Sequence, residues 1–322
     1  MNHGLIRFVK DWTLPVAIGV GTVAYLTFRW TPALDSVGDR LLPVFEVLFP
    51  LTVFGTLLVT FCKIDFHQMR PHRWHAGVLA AQLVLVGGCC AVIAAVEGDA
   101  EQKLLWESVL TCIIGPSASA APVVTGKLGG NVNTMTTFTM ISAVASALLI
   151  PAVFPLLEPS AGVSFGTAFL VILQKVAAVL LLPLVLGWCI QHYAKGLCRR
   201  IVGVTDLSFY LWCVSLSITT GITVRNIVGS DASAGLLGMI ALLSLGVCAV
   251  QFVVGRGIGR RLGEEVNSGQ ALFQKNTALS IWTAYLYLNP VTSVGAGCYV
   301  LWQNIINSVE LWAKRRGESV ER

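Results

Sequence analysis

The fold of this chain is constrained most by ten long runs of residues that contain almost no charged side chains. A helix needs about 20 mostly apolar residues to cross a bilayer, and the runs have that length. The composition agrees, since only 12% of the 322 residues are charged and the mean hydropathy is +0.74. The sequence therefore predicts an all-α membrane protein rather than a soluble enzyme, a nucleic-acid binder or a disulfide-stapled secreted protein.

The ten predicted transmembrane spans form two halves of five. Spans 1 to 5 are predicted at Leu14–Trp30, Leu41–Phe61, Trp74–Val96, Leu105–Thr125 and Asn131–Leu157. Spans 6 to 10 are predicted at Phe165–Gln191, Val204–Val224, Ala232–Val254, Gly269–Leu288 and Thr292–Trp312. Equivalent spans lie about 155 to 160 residues apart, although even spacing alone gives a similar offset. Because five is odd, a second copy enters the membrane upside down, which predicts inverted repeats at residues 1–160 and 161–322.

The basic residues between the spans predict the orientation of the chain. Of the 22 Lys and Arg residues, sixteen lie on one side of the predicted spans and four on the other, while Lys175 and Lys275 lie inside spans. The positive-inside rule assigns the richer side to the cytoplasm. We therefore expect a multi-pass protein of the cell (inner) membrane with both termini in the cytoplasm.

Span 4 contains the segment Gly115–Pro122, in which Pro116 and Pro122 enclose small residues. Proline removes a backbone donor and clashes with the preceding helical turn. Irregular backbone at membrane depth survives only where it is buried in protein or lines a wet cavity. The segment predicts a broken helix at a binding site, and the alternative is a kink that packs closely through small residues.

Span 9 is the equivalent span of the second half, and it carries Gln274, Lys275 and Asn276 in succession. A lysine at the centre of a bilayer costs roughly 2.5 to 3.5 kcal/mol and marks a functional site by default. We therefore expect span 9 to be broken around Lys275. The spans that follow the two breaks carry polar stripes, each on one helical face: Thr139, Ser142 and Ser146 in span 5, and Gln303, Asn307 and Glu310 in span 10, with Asn304 beside them.

Two further charges, Glu46 in span 2 and Lys175 in span 6, are predicted to lie in the outer half of the membrane. They either form an ion pair or contact the substrate, and the sequence leaves both alternatives open. No G-x-S-x-G motif accompanies Ser117, and the histidines lie at the predicted cytoplasmic edge, so we do not expect an enzyme. The nine cysteines lack CxxC spacing and are interpreted as small buried hydrophobic residues rather than metal ligands.

Two segments resemble a known family, the bile acid:sodium symporters of the bile/arsenite/riboflavin transporter superfamily. Gly115–Pro122 and Gly129–Val132 are similar to the family's span-4 motif and the turn into span 5. Ala271–Leu279, Asn289–Pro290 and Tyr299–Asn304 are similar to its motifs in spans 9 and 10. The resemblance follows span order over nearly the whole chain.

The resemblance implies a panel of spans 1, 2, 6 and 7 and a core of spans 3 to 5 and 8 to 10, in which spans 4 and 9 cross at their unwound middles. It also implies uptake of an organic anion in the crevice between panel and core. In the family this uptake is coupled to sodium bound behind the crossover.

The residues that would bind sodium differ in this chain. By alignment with the family motifs, the span-9 glutamate falls on Ala271 and its glutamine on Lys275, while the span-4 Ser-Asn pair falls on Ala121 and Pro122. Met135 stands where the family has a serine. Matching oxygen atoms remain at Gln82, Thr139 and Asn276. A hard cation binds weakly without a carboxylate, so we expect no cofactor or metal and no conventional sodium coupling. A sodium-dependent bile acid symporter with altered sites stays as the alternative.

The Lys275 ammonium is predicted to occupy the place of the missing cation. It would donate hydrogen bonds to the carbonyls of the span-4 break and to Gln82 or Thr139, with Gln274 beside it in the coupling site. If the charge is permanent, transport is facilitative or coupled elsewhere; if the amine releases and regains its proton, proton exchange drives the cycle. The alternative is that Lys275 pairs with Glu310 or another carboxylate purely for packing.

An electropositive pocket at the breaks predicts a small organic anion as substrate, either bile-acid-like or a carboxylate metabolite. The predicted donors to this substrate are Ser117, Ser119, Asn276, Thr277 and Asn304. The bilayer is the other expected partner, nucleic acid is not, and the oligomeric state is not predicted. A channel and a non-transporting sensor of the same fold remain the rival functions.

Overall fold

The computed structural model describes residues 13–31, 35–64, 69–96, 98–159, 163–204, 207–230 and 232–320. All regular secondary structure within these ranges is helical, which confirms the predicted all-α class. The helices α1 to α7 are Thr13–Trp30, Asp35–Cys62, Arg73–Ala95, Ala100–Ile114, Ala121–Lys127, Val132–Leu157 and Phe165–Leu180. The helices α8 to α14 are Leu182–Tyr193, Lys195–Gly203, Leu207–Val228, Ala234–Leu262, Glu265–Phe273, Thr277–Tyr287 and Ser293–Val320, and a short 3₁₀ helix at Pro290–Thr292 precedes α14.

Six helical segments are long and apolar enough to cross a membrane. They are Pro43–Cys62, Arg73–Ala95, Val132–Leu157, Phe165–Tyr193, Tyr210–Val228 and Ala234–Leu262. Val16–Trp30 is a shorter apolar helix of the same kind. Predicted spans 4, 9 and 10 are absent from this group. The structure divides span 4 into α4 and α5 and span 9 into α12 and α13, whereas span 10 is the single helix α14.

The most extensive contacts between helices fall into two groups, and α6 also packs against α7. In one group, α10 packs against α1 and α2, and α2 packs against α8. In the other group, α11 packs against α12, α14 and α4, and α3 packs against α4. The largest apolar cluster includes Phe61, Ile114, Ile150, Val176 and Leu279, so its members come from both groups. This packing brings the ends of α4, α5, α12 and α13 together in the interior.

Polar residues define the ends of several helices that approach the interior. The Asp99 carboxylate accepts the amides of Glu101 and Gln102 at the start of α4. The Asn131 side chain accepts the amides of Asn133 and Thr134 at the start of α6. Such caps satisfy amides that have no partner within the helix. One close approach requires a glycine: a Cβ on Gly295 of α14 would lie 2.2 Å from the Ser108 carbonyl oxygen of α4, so these helices meet backbone to backbone.

Candidate functional site at two crossed helix breaks

Both predicted helix breaks are present in the structure. Helix α4 ends at Ile114 and α5 begins at Ala121, which leaves residues 115–120 outside any helix. Helix α12 ends at Phe273 and α13 begins at Thr277, which leaves residues 274–276 between them. The first break coincides with the proline-bounded segment, and the second with the polar residues around Lys275.

The two breaks pair with each other as a short antiparallel ladder. The Ala118 amide donates to the Gln274 carbonyl and the Asn276 amide donates to the Pro116 carbonyl, both at 2.8 Å. Ser117 and Lys275 therefore lie directly opposite each other. They form a pair of the type that does not exchange backbone hydrogen bonds, in which side chains approach most closely. The crossover thus places the Lys275 side chain beside Ser117.

The amides at the centre of the ladder are satisfied by the helix that follows each break. The Ser117 amide donates to the Ser142 hydroxyl of α6 at 2.9 Å. The Lys275 amide donates to Gln303 Oε1 of α14 at 3.0 Å, and Gln303 Nε2 donates back to the Lys275 carbonyl at 3.3 Å. The polar stripes of predicted spans 5 and 10 thus face the breaks.

Side chains from α3 and α6 satisfy the carbonyls that α4 leaves open where it ends. Gln82 of α3 donates to the carbonyls of Ile113 and Gly115, both at 3.1 Å. Ser146 of α6 donates to the Ile114 carbonyl at 3.0 Å. Carbonyls at a helix end in hydrocarbon require such donors because no water is present. Gln82 was predicted to accept a hydrogen bond from the Lys275 ammonium, and here its amide nitrogen donates to the carbonyls of the first break.

A second set of donors, which sequence reasoning missed, holds the ends of α4 and α12. The Tyr299 hydroxyl donates to the Phe273 carbonyl at 2.6 Å. Gln251 of α11 donates to the Cys112 carbonyl at 3.1 Å and to the Tyr299 hydroxyl at 2.9 Å. Gln251 is completely buried. Gln251 is the one side-chain amide in the apolar sequence of predicted span 8, and this feature could have identified it as a functional residue.

Lys275 is buried at the centre of the crossover, with 1% of its surface exposed. Its Nζ has no hydrogen-bond partner among the described residues. The predicted hydrogen bonds from Nζ to the break carbonyls, Gln82 or Thr139 are therefore not formed in this structure. Gln82 Nε2 donates to helix-end carbonyls, and the Thr139 hydroxyl donates to the Met135 carbonyl of its own helix. Three buried side-chain oxygens around the crossover also lack partners in the described part of the chain: Gln82 Oε1, Ser117 Oγ and Gln274 Oε1.

The alternative partner for Lys275 is engaged elsewhere. Glu310 of α14 forms an ion pair with Arg256 of α11 and accepts from Gln270 of α12 at 2.8 Å. Gln270 also donates to Asn307 at 3.1 Å. These contacts fix α11, α12 and α14 relative to one another, and they leave Lys275 without the carboxylate partner that the packing interpretation requires.

A crevice of about 520 Å³ lies beside the crossover, between the two groups of helices. Of the predicted site residues, Ser119, Gln274 and Asn304 line it, together with Asn307 of the span-10 stripe. Ser117, Lys275 and Thr277 are buried behind its wall, and the Asn276 side chain caps α13 by accepting the Leu279 amide at 3.2 Å. The predicted site is therefore divided into a set that faces the crevice and a set behind it.

The crevice has two basic side chains and no acidic one among the described residues that line it. Lys63 follows the end of α2 and Lys127 lies at the end of α5, and both side chains are exposed. Trp212, Met69 and Leu311 provide apolar wall. Sequence reasoning assigned both lysines to membrane topology alone.

A second, smaller cavity of about 120 Å³ is lined by aromatic and aliphatic residues of α2, α10 and α13, including Phe49, Ile222 and Trp282.

Two further predictions concern charged groups and metals. Lys175 is exposed, with Nζ 5.9 Å from the centre of the Tyr287 ring, whereas the Glu46 side chain lies outside the described residues, so their pairing stays a prediction. Within the described ranges, no group of three or more His, Cys, Asp or Glu side chains is arranged to hold a metal ion. The cysteines described are all free thiols.

Comparison with known sequences decides the family. The sequence model of the SBF-like CPA transporter family matches residues 65–297, which is 233 of the 322 residues. The chain belongs to the SBF-like CPA transporter family. The match includes both breaks and confirms the resemblance to bile acid:sodium symporters. A search of curated proteins finds no match. Family membership and the apolar helices together identify a multi-pass membrane transporter.

Proposed function

We propose that this SBF-like transporter carries a small organic anion across the membrane by alternating access, with the Lys275 ammonium in place of a bound sodium ion. The observation that carries the proposal is the burial of Lys275 at the point where the two helix breaks pair. In this arrangement a covalently attached charge does the electrostatic work of an ion, and sodium is not required.

The pairing of the breaks supports a ten-span fold made of two inverted repeats, residues 1–160 and 161–322. The bridge joins Ser117 to Lys275, and its hydrogen bonds join residue 118 to 274 and 276 to 116. The two bridged residues, Ser117 and Lys275, are 158 positions apart, which agrees with the offset between the two sets of predicted spans. A local two-fold axis between Ser117 and Lys275 relates the two breaks, as inverted repeats require.

The division into panel and core follows from the same plan. The panel comprises spans 1, 2, 6 and 7, formed by α1, α2, α7 with α8, and α10. The core comprises spans 3 to 5 and 8 to 10. The crevice lies between α2 and α10 on one side and α5, α6 and α14 on the other, so movement of the panel against the core would open and close it.

The unpaired polar groups at the crossover support a role for Lys275 in the transport cycle. A buried donor or acceptor without a partner costs about 1 to 3 kcal/mol, and an ammonium has three donors to satisfy. We infer that Lys275 binds Gln82 Oε1, Ser117 Oγ or Gln274 Oε1 in another state of the cycle. Gln82 lies on the helix that contacts the span-4 break, Ser117 lies in that break and Gln274 lies in the span-9 break. Pairing with any of them would link Lys275 to a rearrangement of the two breaks.

The charge and size of the crevice support an organic anion as the substrate. Its volume of about 520 Å³ lies in the range of small-molecule sites, roughly 300 to 1,000 Å³. Lys63 and Lys127 supply positive charge, Ser119 and Asn304 supply hydrogen bonds, and Trp212 supplies an apolar surface. Both lysines lie on the side that the positive-inside rule assigns to the cytoplasm, which corresponds to an inward-facing state with both termini cytoplasmic.

The proposal is tested in two stages with the purified full-length protein. A thermal-shift screen of organic anions first identifies ligands, since a ligand that binds only the native state raises its apparent stability. Uptake of a radiolabelled hit into proteoliposomes is then measured with the sodium gradient and the pH gradient imposed independently. We expect uptake that persists when sodium is replaced by choline. Strict dependence on sodium would instead favour a sodium symporter with altered sites.

Two variants test the role of Lys275 in uptake. Lys275→Gln removes the buried lysine at the crossover, and the control Lys175→Gln removes the other lysine that lies within a predicted span. We expect Lys275→Gln to reduce uptake at least tenfold and Lys175→Gln, away from the crossover, to retain it. Equal uptake in wild type and Lys275→Gln would remove Lys275 from the mechanism. Counterflow of labelled ligand separates a carrier from a channel or a non-transporting sensor, because only a carrier exchanges ligand through an alternating site.

A further inference from the structure

A second set of charged side chains lies far from the crevice, at the start of α4. Lys103 and Glu107 are one helical turn apart on α4, and Glu158 follows the end of α6. Glu107 is almost completely buried, with 2% of its side chain exposed, whereas 42% of the Glu158 side chain is exposed. A buried carboxyl group thus lies behind a solvent-accessible one at the end of the core that is predicted to face outward.

The single ammonium in this group is used by Glu158. Lys103 Nζ lies 2.8 Å from Glu158 Oε1 and donates to the Leu157 carbonyl at 3.0 Å. Its distance to Glu107 Oε1 is 3.8 Å, which is too long for a hydrogen bond. Glu107 Oε1 has no hydrogen-bond partner among the described residues. One positive charge is therefore shared by two carboxyl groups, and it lies closer to Glu158 than to Glu107.

The two carboxyl groups lie close together because both flank the same ammonium, with Lys103 Nζ 2.8 Å from Glu158 Oε1 and 3.8 Å from Glu107 Oε1. An ionised carboxylate only accepts hydrogen bonds, so a bond between two carboxyl groups requires a proton on one of them. With Lys103 protonated, the group is neutral when it holds one shared proton and carries one net negative charge when it does not. Burial of an uncompensated carboxylate is costly, so the geometry favours the protonated group.

No other charge is positioned to replace that proton within the described parts of the helices that pack on α4. Helices α6 and α13 contain no Asp, Glu, Lys or Arg, and the charged residues of α3, α11 and α14 lie towards their opposite ends. Other titratable or charged groups at this end of the described chain are Cys89, Cys90, Asp99, Glu101, Tyr287, Cys298 in the apolar cluster of Leu105, and Lys175 over the Tyr287 ring.

We propose that Lys103, Glu107 and Glu158 form a binding site for one exchangeable proton, and that this proton is the coupling ion of the transporter. The second part rests on the proposed function with a permanent charge at Lys275: an ammonium that keeps its proton supplies no ion to release down a gradient, so a driving ion must bind elsewhere. A proton enters from water at Glu158 and passes to Glu107, and the Glu158 carboxylate then pairs with Lys103. Its release to water restores the negative charge.

The site is connected to the first helix break through a single helix. Glu107 precedes Ile114, the last residue of α4, by seven residues, which corresponds to about 10 Å at 1.5 Å per residue. The neighbouring Ser108 carbonyl lies against Gly295 of α14. A change in charge at Glu107 therefore acts on α4, whose other end forms one side of the crossover.

The proton site is tested without any substrate by infrared difference spectroscopy of the full-length protein in nanodiscs, titrated from acid to alkaline pH. We expect a carbonyl-stretch band of a protonated carboxylic acid that disappears as pH rises and is missing from Glu107→Gln. Glu101→Gln, which removes an exposed carboxylate from the same helix, should retain the band. Glu158→Gln should shift its frequency, because the carboxyl–carboxyl hydrogen bond is lost. A band unchanged in Glu107→Gln would overturn the site.

Coupling is tested with proteoliposomes that contain a pH-sensitive dye and receive an anion identified by thermal shift. We expect the anion to drive proton movement in wild type and Glu101→Gln, and at least tenfold less in Glu107→Gln. Anion uptake without proton movement in wild type would overturn proton coupling but leave the transporter intact. If wild type takes up no anion at all, the proposed function fails, while the infrared titration still decides whether the site binds a proton.

Discussion

The two helix breaks have the same backbone arrangement but are built from different residues. The first break contains Pro116 and small side chains, and the second contains Lys275 between two amide side chains. At each, the central amide donates to a side chain of the following helix, Ser142 or Gln303. Tertiary hydrogen bonds hold both breaks, but only the first has a local cause in its prolines, so the second depends on those hydrogen bonds alone. The symmetric backbone then carries one asymmetric feature, a buried ammonium.

The largest effect on stability is expected where the two halves of the chain touch backbone to backbone. In Gly295→Ala, the new Cβ would lie 2.2 Å from the Ser108 carbonyl oxygen, and neither backbone can move without displacing a helix. We expect a loss of about 3 kcal/mol or more, as for severe overpacking. The control is Gly238→Ala on α11, where a Cβ meets nothing within 4 Å. Thermal unfolding in detergent measures both, and equal midpoints would contradict the close contact.

The second effect separates the two breaks directly. Gln303→Leu removes both hydrogen bonds to the Lys275 backbone. The buried amide is left unpaired, while the carbonyl loses one of two bonds and still accepts the Thr277 amide, at a cost of about 2 to 4 kcal/mol in total. Ser142→Ala leaves only the Ser117 amide unpaired, at about 1 to 2 kcal/mol. We expect the order wild type, Ser142→Ala, Gln303→Leu in decreasing unfolding temperature. The reverse order would show that local sequence does not hold the first break.

A smaller effect is expected at the hydroxyl group that connects α12, α11 and α14. Tyr299→Phe removes the donor to the Phe273 carbonyl and the acceptor for Gln251 without changing the ring. We expect a loss of about 1 to 2 kcal/mol. Tyr285→Phe provides the same change on α13, next to the small cavity, and should cost less. Thermal unfolding again provides the measurement, and matching losses would remove Tyr299 from the support of the second break.

The smallest effect concerns substrate binding at the crevice entrance. Lys63→Gln and Lys127→Gln each remove one exposed charge that lines the crevice. An exposed charge pair contributes up to about 1 kcal/mol and is screened by salt, so we expect each variant to weaken binding of an anionic ligand about two- to fivefold. The difference from wild type should shrink at high salt. Titration calorimetry with a ligand from the thermal-shift screen checks this, and tighter binding by either variant would contradict an anionic substrate.

Much of the helical plan was predictable from the sequence because apolar runs and prolines act locally. The prolines around Ser117 predicted the first break, and Lys275 predicted the second because an ammonium is costly in a bilayer. The partners were less predictable. Gln82 and Gln303 were identified as polar residues in spans, but only the structure gives them helix-end carbonyls and break amides as partners. Gln251 was missed because one glutamine in an apolar span does not define a stripe.

The division of the predicted site into two sets also depends on tertiary structure. Ser117 and Ser119 are two residues apart, yet Ser119 lines the crevice and Ser117 is buried behind its wall. Irregular backbone has no fixed periodicity, so spacing within the break does not reveal which side a residue faces. Lys63 and Lys127 were likewise assigned to topology, because a basic residue after a span fits the positive-inside rule whether or not it lines a crevice.

The most direct test of the tethered-charge account is the effect of sodium on the stability of the purified protein. Unfolding temperatures of wild type and Lys275→Gln are compared in sodium chloride and choline chloride at equal ionic strength. A sodium ion that binds the native state would raise the unfolding temperature in a saturable way. The account predicts no sodium-specific rise in wild type, because the Lys275 ammonium supplies the charge at the crossover. A saturable, sodium-specific rise in wild type that is retained in Lys275→Gln would contradict it.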